Sequence, residues 1–248
     1  MRDAFVAEWM KSFSGKLWLI MVLVGSLFSV LGAYGFATAG DKALAEGRTT
    51  EAAVSHDLLQ APLSMLVFTA ALGAALVTRE FSAGSITRSV LLAGGRDRLF
   101  TAKTLAVAAL GALFGTATVV LSAVCAVVFM SSKGHTLVWD QQSVLTLIGL
   151  FVCSIAASLW GAAMGWVIRH QVGAMILVLL LGTTLEHLVI TMVPGVGRFL
   201  FFEAMSGLSH DTTVHGLLPA PAAGGVILAW IVVTVLVGRR LFTSRDVT

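Results

Sequence analysis

The chain has 248 residues, of which 57% are hydrophobic and 12% are charged, and its formal net charge is +3. A soluble domain carries about 25% charged residues, so this composition excludes a soluble protein. The apolar residues form long runs, and about 20 residues of α-helix cross the hydrocarbon core of a bilayer. The sequence therefore predicts an all-α polytopic membrane protein.

The segment before the first apolar run is amphipathic. Its apolar residues share one helical face and its charged residues lie elsewhere, with Phe5, Val6, Trp9 and Phe13 set against Arg2, Asp3, Glu8 and Lys11. This pattern favours a short helix that lies in the membrane interface. A frayed tail with chance apolar spacing is the alternative interpretation.

Six apolar runs are predicted to be transmembrane helices of one membrane domain, residues 1–248, because no linker or soluble stretch separates them. None shows the alternation of about ten residues that barrel strands require. The predicted spans are Leu17–Ala39, Ala61–Thr78, Leu105–Met130, Val144–Ile168, Val172–Val193 and Ala223–Leu241.

Small residues recur four positions apart in three of these spans. Such spacing lets two helices approach closely, either within one subunit or between two. The sets are Gly25, Ser29 and Ala33 in span one, Gly111 and Gly115 in span three, and Gly161 and Gly165 in span four.

Positive charge is distributed unequally between the segments that flank the spans. With a cytoplasmic N-terminus, the inward segments carry three, five, one and three Lys or Arg residues, and the outward segments carry four in total. Cytoplasmic loops keep an excess of Lys and Arg. Both termini are therefore predicted to be cytoplasmic, in the inner or plasma membrane.

Motifs of catalytic chemistry are missing from the sequence. A phosphate-binding loop would need a glycine five residues before Gly15-Lys16, where Met10 stands, and the zinc-protease spacing HExxH does not occur. The most closely spaced histidines, His210 and His215, fall in an outward segment. We expect no catalytic residue, no metal, no bound cofactor and no nucleic-acid partner.

The segment between spans two and three holds five of the sixteen Lys and Arg residues. Its spacing predicts a short cytoplasmic helix over Ser82–Leu92 that ends before Gly94-Gly95. Attraction to anionic headgroups would explain the basic residues but not the apolar stripe beside them. A protein partner that docks on this helix would explain both.

The order of residues here also carries a family resemblance. Glu80, Gly84-Ser85, an apolar stretch ending at Leu91-Leu92, Arg96 with Arg98, and Lys103 follow one another. This order resembles the cytoplasmic loop between spans two and three of ABC-2 type permeases, the membrane subunits of many bacterial ATP-binding-cassette (ABC) exporters. Gly94-Gly95 replaces a turn that often contains proline in that family. The layout of six spans with both termini inside is similar too.

The resemblance implies that this segment is a coupling helix for a separate cytoplasmic ABC ATPase dimer, which would bind ATP and Mg²⁺. It implies that this chain has no enzymatic activity and that it acts with a second permease subunit, identical or related. It also implies ATP-driven alternating access that exports an amphipathic peptide, drug or lipid, with antibiotic resistance as one outcome. The coupling residues would be Glu80, Gly84, Ser85, Arg88, Arg96, Arg98 and Lys103.

Individual roles follow for the charged members of this set. Glu80 is expected to pair with Arg88 or with neighbours of Arg79. Arg96, Arg98 and Lys103 are expected to hold the start of span three at the lipid headgroups.

By the same resemblance, spans two and five line the transport pathway. Thr69, Thr183 and Thr184 would be its polar lining, although a Thr in a membrane helix often bonds its own backbone. The outward apolar segment Val196–Leu208 is too short to cross the membrane. It is expected either to re-enter, with Phe199, Phe201 and Phe202 as exit plugs, or to rest on lipid as an interfacial helix.

Glu186 and His187 are ionisable residues placed inside span five, in the outer half of the membrane. Such residues are costly to bury and suggest function. Glu186 would contact a substrate or cation, or accept a proton with His187 as its partner; alternatively, the two form a structural pair. The proton-acceptor role would make the protein a proton-coupled secondary transporter. A membrane scaffold or sensor is the third possibility.

Overall fold

The computed structural model describes residues 1–210 and 216–244, so Arg245 and His215 lie outside the described residues. Helices dominate this part of the chain, which contains no strand. The helices are α1 (Arg2–Ser12), α2 (Leu17–Ala45), α3 (Glu51–Gln60), α4 (Leu63–Ser82), α5 (Ile86–Ala93), α6 (Arg96–Ser132), α7 (Gln141–Ile168), α8 (Gln171–Leu180), α9 (Glu186–Met192), α10 (Pro194–Gly197), α11 (Phe201–Leu208) and α12 (Ala220–Ser244).

Six helical segments among the described residues are long and apolar enough to cross a membrane, which confirms the predicted number. They are α2, α3 with α4, α6, α7, α8 with α9, and α12. Several extend beyond the predicted ends, because a helix can continue through polar residues, whereas a hydropathy prediction ends the span there. Span three therefore begins at Arg96 rather than Leu105. Span two is preceded by α3, and the chain bends at Pro62, which has no N–H to continue the helix.

Helix α4 is the centre of the bundle and packs most extensively against α7. A β-carbon on Gly161 would overlap the Ala70 carbonyl oxygen, and one on Gly165 would lie 2.8 Å from the Ala74 oxygen. The two backbones therefore touch where these glycines remove the side chain.

The other predicted small-residue sets also lie at helix contacts within this chain. Gly111 and Gly115 of α6 face the backbone and small side chains of α7. Gly25 of α2 lies against Met65 of α4, and the Ser29 hydroxyl is 3.1 Å from that of Ser64. All three sets therefore serve packing inside one subunit.

Helices α2, α8 with α9, and α12 surround this centre and leave large apolar side chains exposed. Examples are Leu23, Leu27 and Leu31 on α2, and Leu228, Val233 and Leu236 on α12. In a bilayer these side chains face lipid tails, where exposure carries no hydrophobic penalty.

An aromatic cluster joins the ends of four spans on the side of α5. The Trp166 ring of α7 lies 5.9 Å from Phe81, 5.2 Å from Phe100 and 4.4 Å from Phe242, measured between ring centroids. These residues come from α4, α6 and α12, so the cluster fixes the frame from which α5 projects.

At the opposite end, Asp140 caps α7. Its carboxylate accepts the Ser143 N–H at 2.8 Å and lies 3.0 Å from His56 Nε2 of α3. The Ser143 N–H and then His56 lower the pKa of Asp140 to about 2. The cap explains why α7 begins at Gln141 rather than at the predicted Val144.

Candidate functional site

Helix α5 projects between two glycine turns. Gly84 has φ +63° and Gly94 has φ +80°, both in the left-handed region that favours glycine. The Ser85 N–H donates to the Glu80 carbonyl at 2.9 Å and closes the first turn. The predicted helix start at Ser82 was wrong, because Ser82 is the last residue of α4 and the chain turns before α5 begins.

The two faces of α5 differ in burial. Ile86 and Ser89 are buried and anchor the helix to the bundle. Leu91 and Leu92 are 77% and 78% exposed, and Arg88 beside them is exposed as well. Two adjacent leucines on a protruding helix form an apolar tip with a basic rim. The adjoining open cleft of about 720 Å³ is lined by Ser85, Arg88, Ser89 and Leu92 among other residues.

Beneath α5 lies a cluster of four charged side chains, Glu8, Lys11, Glu80 and Lys103. Lys103 Nζ lies 2.5 Å from a Glu8 oxygen and 3.0 Å from a Glu80 oxygen. Lys11 Nζ lies 2.6 Å from the other Glu8 oxygen and 3.1 Å from Glu80. We call these four residues the ion cluster. It joins α1, α4 and α6.

Two sequence expectations are corrected here. Glu80 pairs with Lys11 and Lys103 rather than with Arg88, and the Lys103 side chain is only 4% exposed and does not reach headgroups. The reason is that α1 packs across the start of α6 and covers Lys103. Glu8 and Lys11 were missed as site residues. The available signal was their spacing of three, which places an acidic and a basic side chain side by side on one helix.

The ion cluster also reaches α5. Lys11 Nζ donates to the Ser89 hydroxyl at 3.2 Å, and Arg79 donates to the carbonyls of Lys11 and Ser14. Burial disfavours charge on Lys11, but Glu8 and Glu80 outweigh that effect and raise the pKa of its ammonium. Helix α5 is thus joined to α1 through the Lys11–Ser89 hydrogen bond, and Lys11 in turn connects to the rest of the ion cluster.

Arg96 and Arg98 occupy different surroundings. Arg96 Nη1 donates to the carbonyls of Phe242 and Thr243, at 3.4 and 2.9 Å, and so caps the C-terminal end of α12. The expectation that Arg96 points to headgroups is therefore corrected, because the carbonyls at this helix end lack intrahelical partners. Arg98 is exposed.

Glu186, the first residue of α9, lies just after a π-helical turn, Leu181–Leu185, and is 4% exposed. Its carboxylate accepts the backbone N–H groups of Phe202 and Glu203, at 2.6 and 3.3 Å. These N–H groups lie in the first turn of α11, where a carboxylate is stabilised by the helix dipole. Glu186 therefore caps the N-terminal end of α11 from a neighbouring helix, although the residue at the N-cap position is Leu200.

His187 does not pair with Glu186 as expected. Its ring is 61% exposed, and its Nδ1 lies 3.6 Å from Glu203 Oε1. Adjacent residues on a helix point about 100° apart. Glu186 therefore reaches the backbone N–H groups of α11, whereas His187 reaches the side chain of Glu203.

The segment 196–208 packs into the bundle through α11. Phe201 and Phe202 are buried, and their rings lie 4.6 and 5.5 Å from Trp160 of α7. Phe199 is 46% exposed and stands apart from them. Two of the three predicted plug residues are thus brought together.

A groove runs between α4 and span five, closed at its back by α11. It consists of two overlapping cavities of about 410 and 530 Å³. Of the predicted pathway threonines, Thr183 lines both cavities. Thr69 is buried in α4, where it donates to the Met65 carbonyl at 2.9 Å, and exposed Thr184 is not among the lining residues.

Most of the chain matches a known protein family. A family model described as ABC-2 family transporter protein matches residues 4–186, which include the ion cluster, α5 and the groove wall up to Glu186. A search of curated proteins finds no match. The chain therefore belongs to the ABC-2 transporter family and is a multi-pass membrane permease of an ABC transporter.

Proposed function

We propose that this permease exports an amphipathic substrate by ATP-driven alternating access, with α5 as the helix that receives force from a separate ABC ATPase dimer. The observation that carries the proposal is the exposed Leu91–Leu92 tip above the ion cluster. Apolar anchors with charged rims are typical of helix-in-groove docking. ATP and Mg²⁺ would act on the ATPase, since this chain has no phosphate-binding loop.

The contacts around α5 support a rigid connection to the transport pathway. The turn at Gly84 and the bond from Lys11 to Ser89 join α5 to α4 and to the ion cluster. Helix α4 then runs unbroken to Leu63, which lines the groove at its other end. A displacement of α5 would therefore move the groove wall directly.

The wider arrangement belongs to the same proposal. The unequal distribution of Lys and Arg supports cytoplasmic termini and places α5 on the cytoplasmic side of the inner or plasma membrane. A second permease subunit, identical or related, would complete the pathway. The cap that Glu186 provides for α11 supports a structural role for this residue over that of a proton acceptor.

Capture of the ATPase tests this proposal. Replacing Leu91 and Leu92 with serine is expected to reduce co-purification of the ATPase at least tenfold, because the apolar anchors are lost, while the permease stays folded. Recovery of the ATPase per tagged permease, in mild detergent with and without ATP, is the measurement. About 1.4 kcal/mol of lost binding energy corresponds to tenfold weaker association.

The matched control carries the same change on the other side of the molecule. Met192 and Val193 are 73% and 51% exposed, and replacing them with serine should leave ATPase recovery unchanged. Glu80 is avoided in this test because it is buried in the ion cluster and its loss would disturb folding. Equal recovery from the α5 variant and the wild type would rule out α5 as the docking helix.

A further inference from the structure

The groove between α4 and span five has aromatic walls. The rings of Phe28, Phe36, Phe68 and Phe202 line it, together with Leu63 and the hydroxyl groups of Ser64, Thr183 and Ser206. Each of its two cavities lies within the range of about 300–1,000 Å³ that is usual for small-molecule sites. Its surface therefore suits a compact apolar molecule that carries a polar centre.

The described lining of the groove carries an acidic side chain and no Lys or Arg. Glu203 forms part of the wall and is only 6% exposed. None of the described lining residues is Lys or Arg, and the other titratable side chain among them is His187, which contacts Glu203 through its exposed ring. Among the described lining residues an anion would meet no Lys or Arg, whereas a cation would meet the Glu203 carboxylate.

From this combination we propose that the groove binds an amphipathic organic cation, with its charge directed to Glu203 and its apolar groups against the phenylalanine rings. Aromatic faces attract cations and apolar groups alike, so the walls and the carboxylate favour the same ligand. The backbone at Glu203 is held in place, because its N–H donates to the Glu186 carboxylate. The inference rests on the proposed transport function and names the substrate class of that pathway.

Binding of tritiated tetraphenylphosphonium to the purified permease in lipid nanodiscs tests the inference. We expect saturable binding above that of empty nanodiscs, displaced by unlabelled tetraphenylarsonium but not by the neutral analogue triphenylphosphine oxide. Glu203→Gln keeps the shape of the side chain and removes its charge. It is expected to weaken binding by about tenfold or more, because loss of a charge partner at a partly desolvated site costs more than the about 1.4 kcal/mol that this represents.

Two further variants keep the result interpretable. Thr183→Phe fills the groove from an exposed position and should remove binding without changing the unfolding midpoint. Glu46→Gln removes a carboxylate from an exposed surface and should leave binding unchanged. If Glu203→Gln fails to fold, the groove-filling variant still decides the result.

Several outcomes would overturn the inference. These are an absence of saturable binding, affinity that neither Glu203→Gln nor Thr183→Phe alters, or displacement by the neutral analogue as strong as that by the cation. A change of oligomeric state in Thr183→Phe, without loss of cation binding, would assign the groove to a second copy of the chain. Retained ATPase capture without cation binding would reject only this inference, and binding without capture would reject only the proposed coupling.

Discussion

Replacing Gly161 with leucine is expected to destabilise the bundle more than any change on its lipid-facing surface. A β-carbon at this position would overlap the Ala70 carbonyl oxygen, so α4 and α7 would have to separate. Overpacking of a buried contact typically costs about 1–3 kcal/mol, and a backbone obstacle places this variant at or above the upper end.

Two native thiols make the effect measurable. Cys125 and Cys153 are free and buried, so a thiol-reactive fluorophore labels them only as the bundle opens. The midpoint of thermal labelling in detergent should fall sharply for Gly161→Leu. The same substitution at Gly35, where an added β-carbon meets nothing within 4 Å, is the control and should leave the midpoint unchanged. Equal midpoints for the two variants would refute the close α4–α7 contact.

Replacing Lys103 with methionine is expected to destabilise the end of the bundle that carries α5 and to weaken ATPase capture. The change leaves Glu8 and Glu80 buried with Lys11 as the remaining cation of the ion cluster. Removing one partner of a buried ion pair commonly costs about 3–5 kcal/mol, because the other charges stay desolvated. Thermal labelling of the cysteines and ATPase recovery are the two measurements.

A second substitution separates charge imbalance from lost packing. Adding Glu8→Gln to Lys103→Met restores the charge balance and should recover part of the lost midpoint. The control Lys133→Met breaks a solvent-exposed pair with Asp41, and such surface pairs contribute little to stability because water screens them. If Lys103→Met and Lys133→Met shifted the midpoint equally, the ion cluster would have no special structural importance.

Hydropathy predicted the membrane spans because each must present a continuous apolar surface, and the small-residue spacing predicted where helices approach. The ends of the helices could not be read in this way. Residues 96–104 continue α6 through charged side chains, and α3 is a polar helix joined to α4 only through the bend at Pro62. Helical continuity there depends on hydrogen bonding and tertiary packing, which hydropathy does not measure.

The order of residues between spans two and three predicted a short helix there and placed Glu80 and Lys103 near it. The ion cluster could not be predicted in this way, because Lys11 meets Glu80 and Ser89 across 69 and 78 residues of sequence. Its formation depends on α1 packing over the start of α6, which is a tertiary contact. Similarly, the partner of Glu186 is a pair of backbone groups, which no side-chain pattern reveals.

The contact between Glu186 and α11 has a consequence for how the protein is made. The donors that satisfy this carboxylate belong to Phe202 and Glu203, which leave the ribosome after span five. An acidic side chain inside a membrane helix is costly when it has no hydrogen-bond partners. The Glu186 carboxylate therefore gains these partners only after the segment that follows span five has been made and α11 has packed against it.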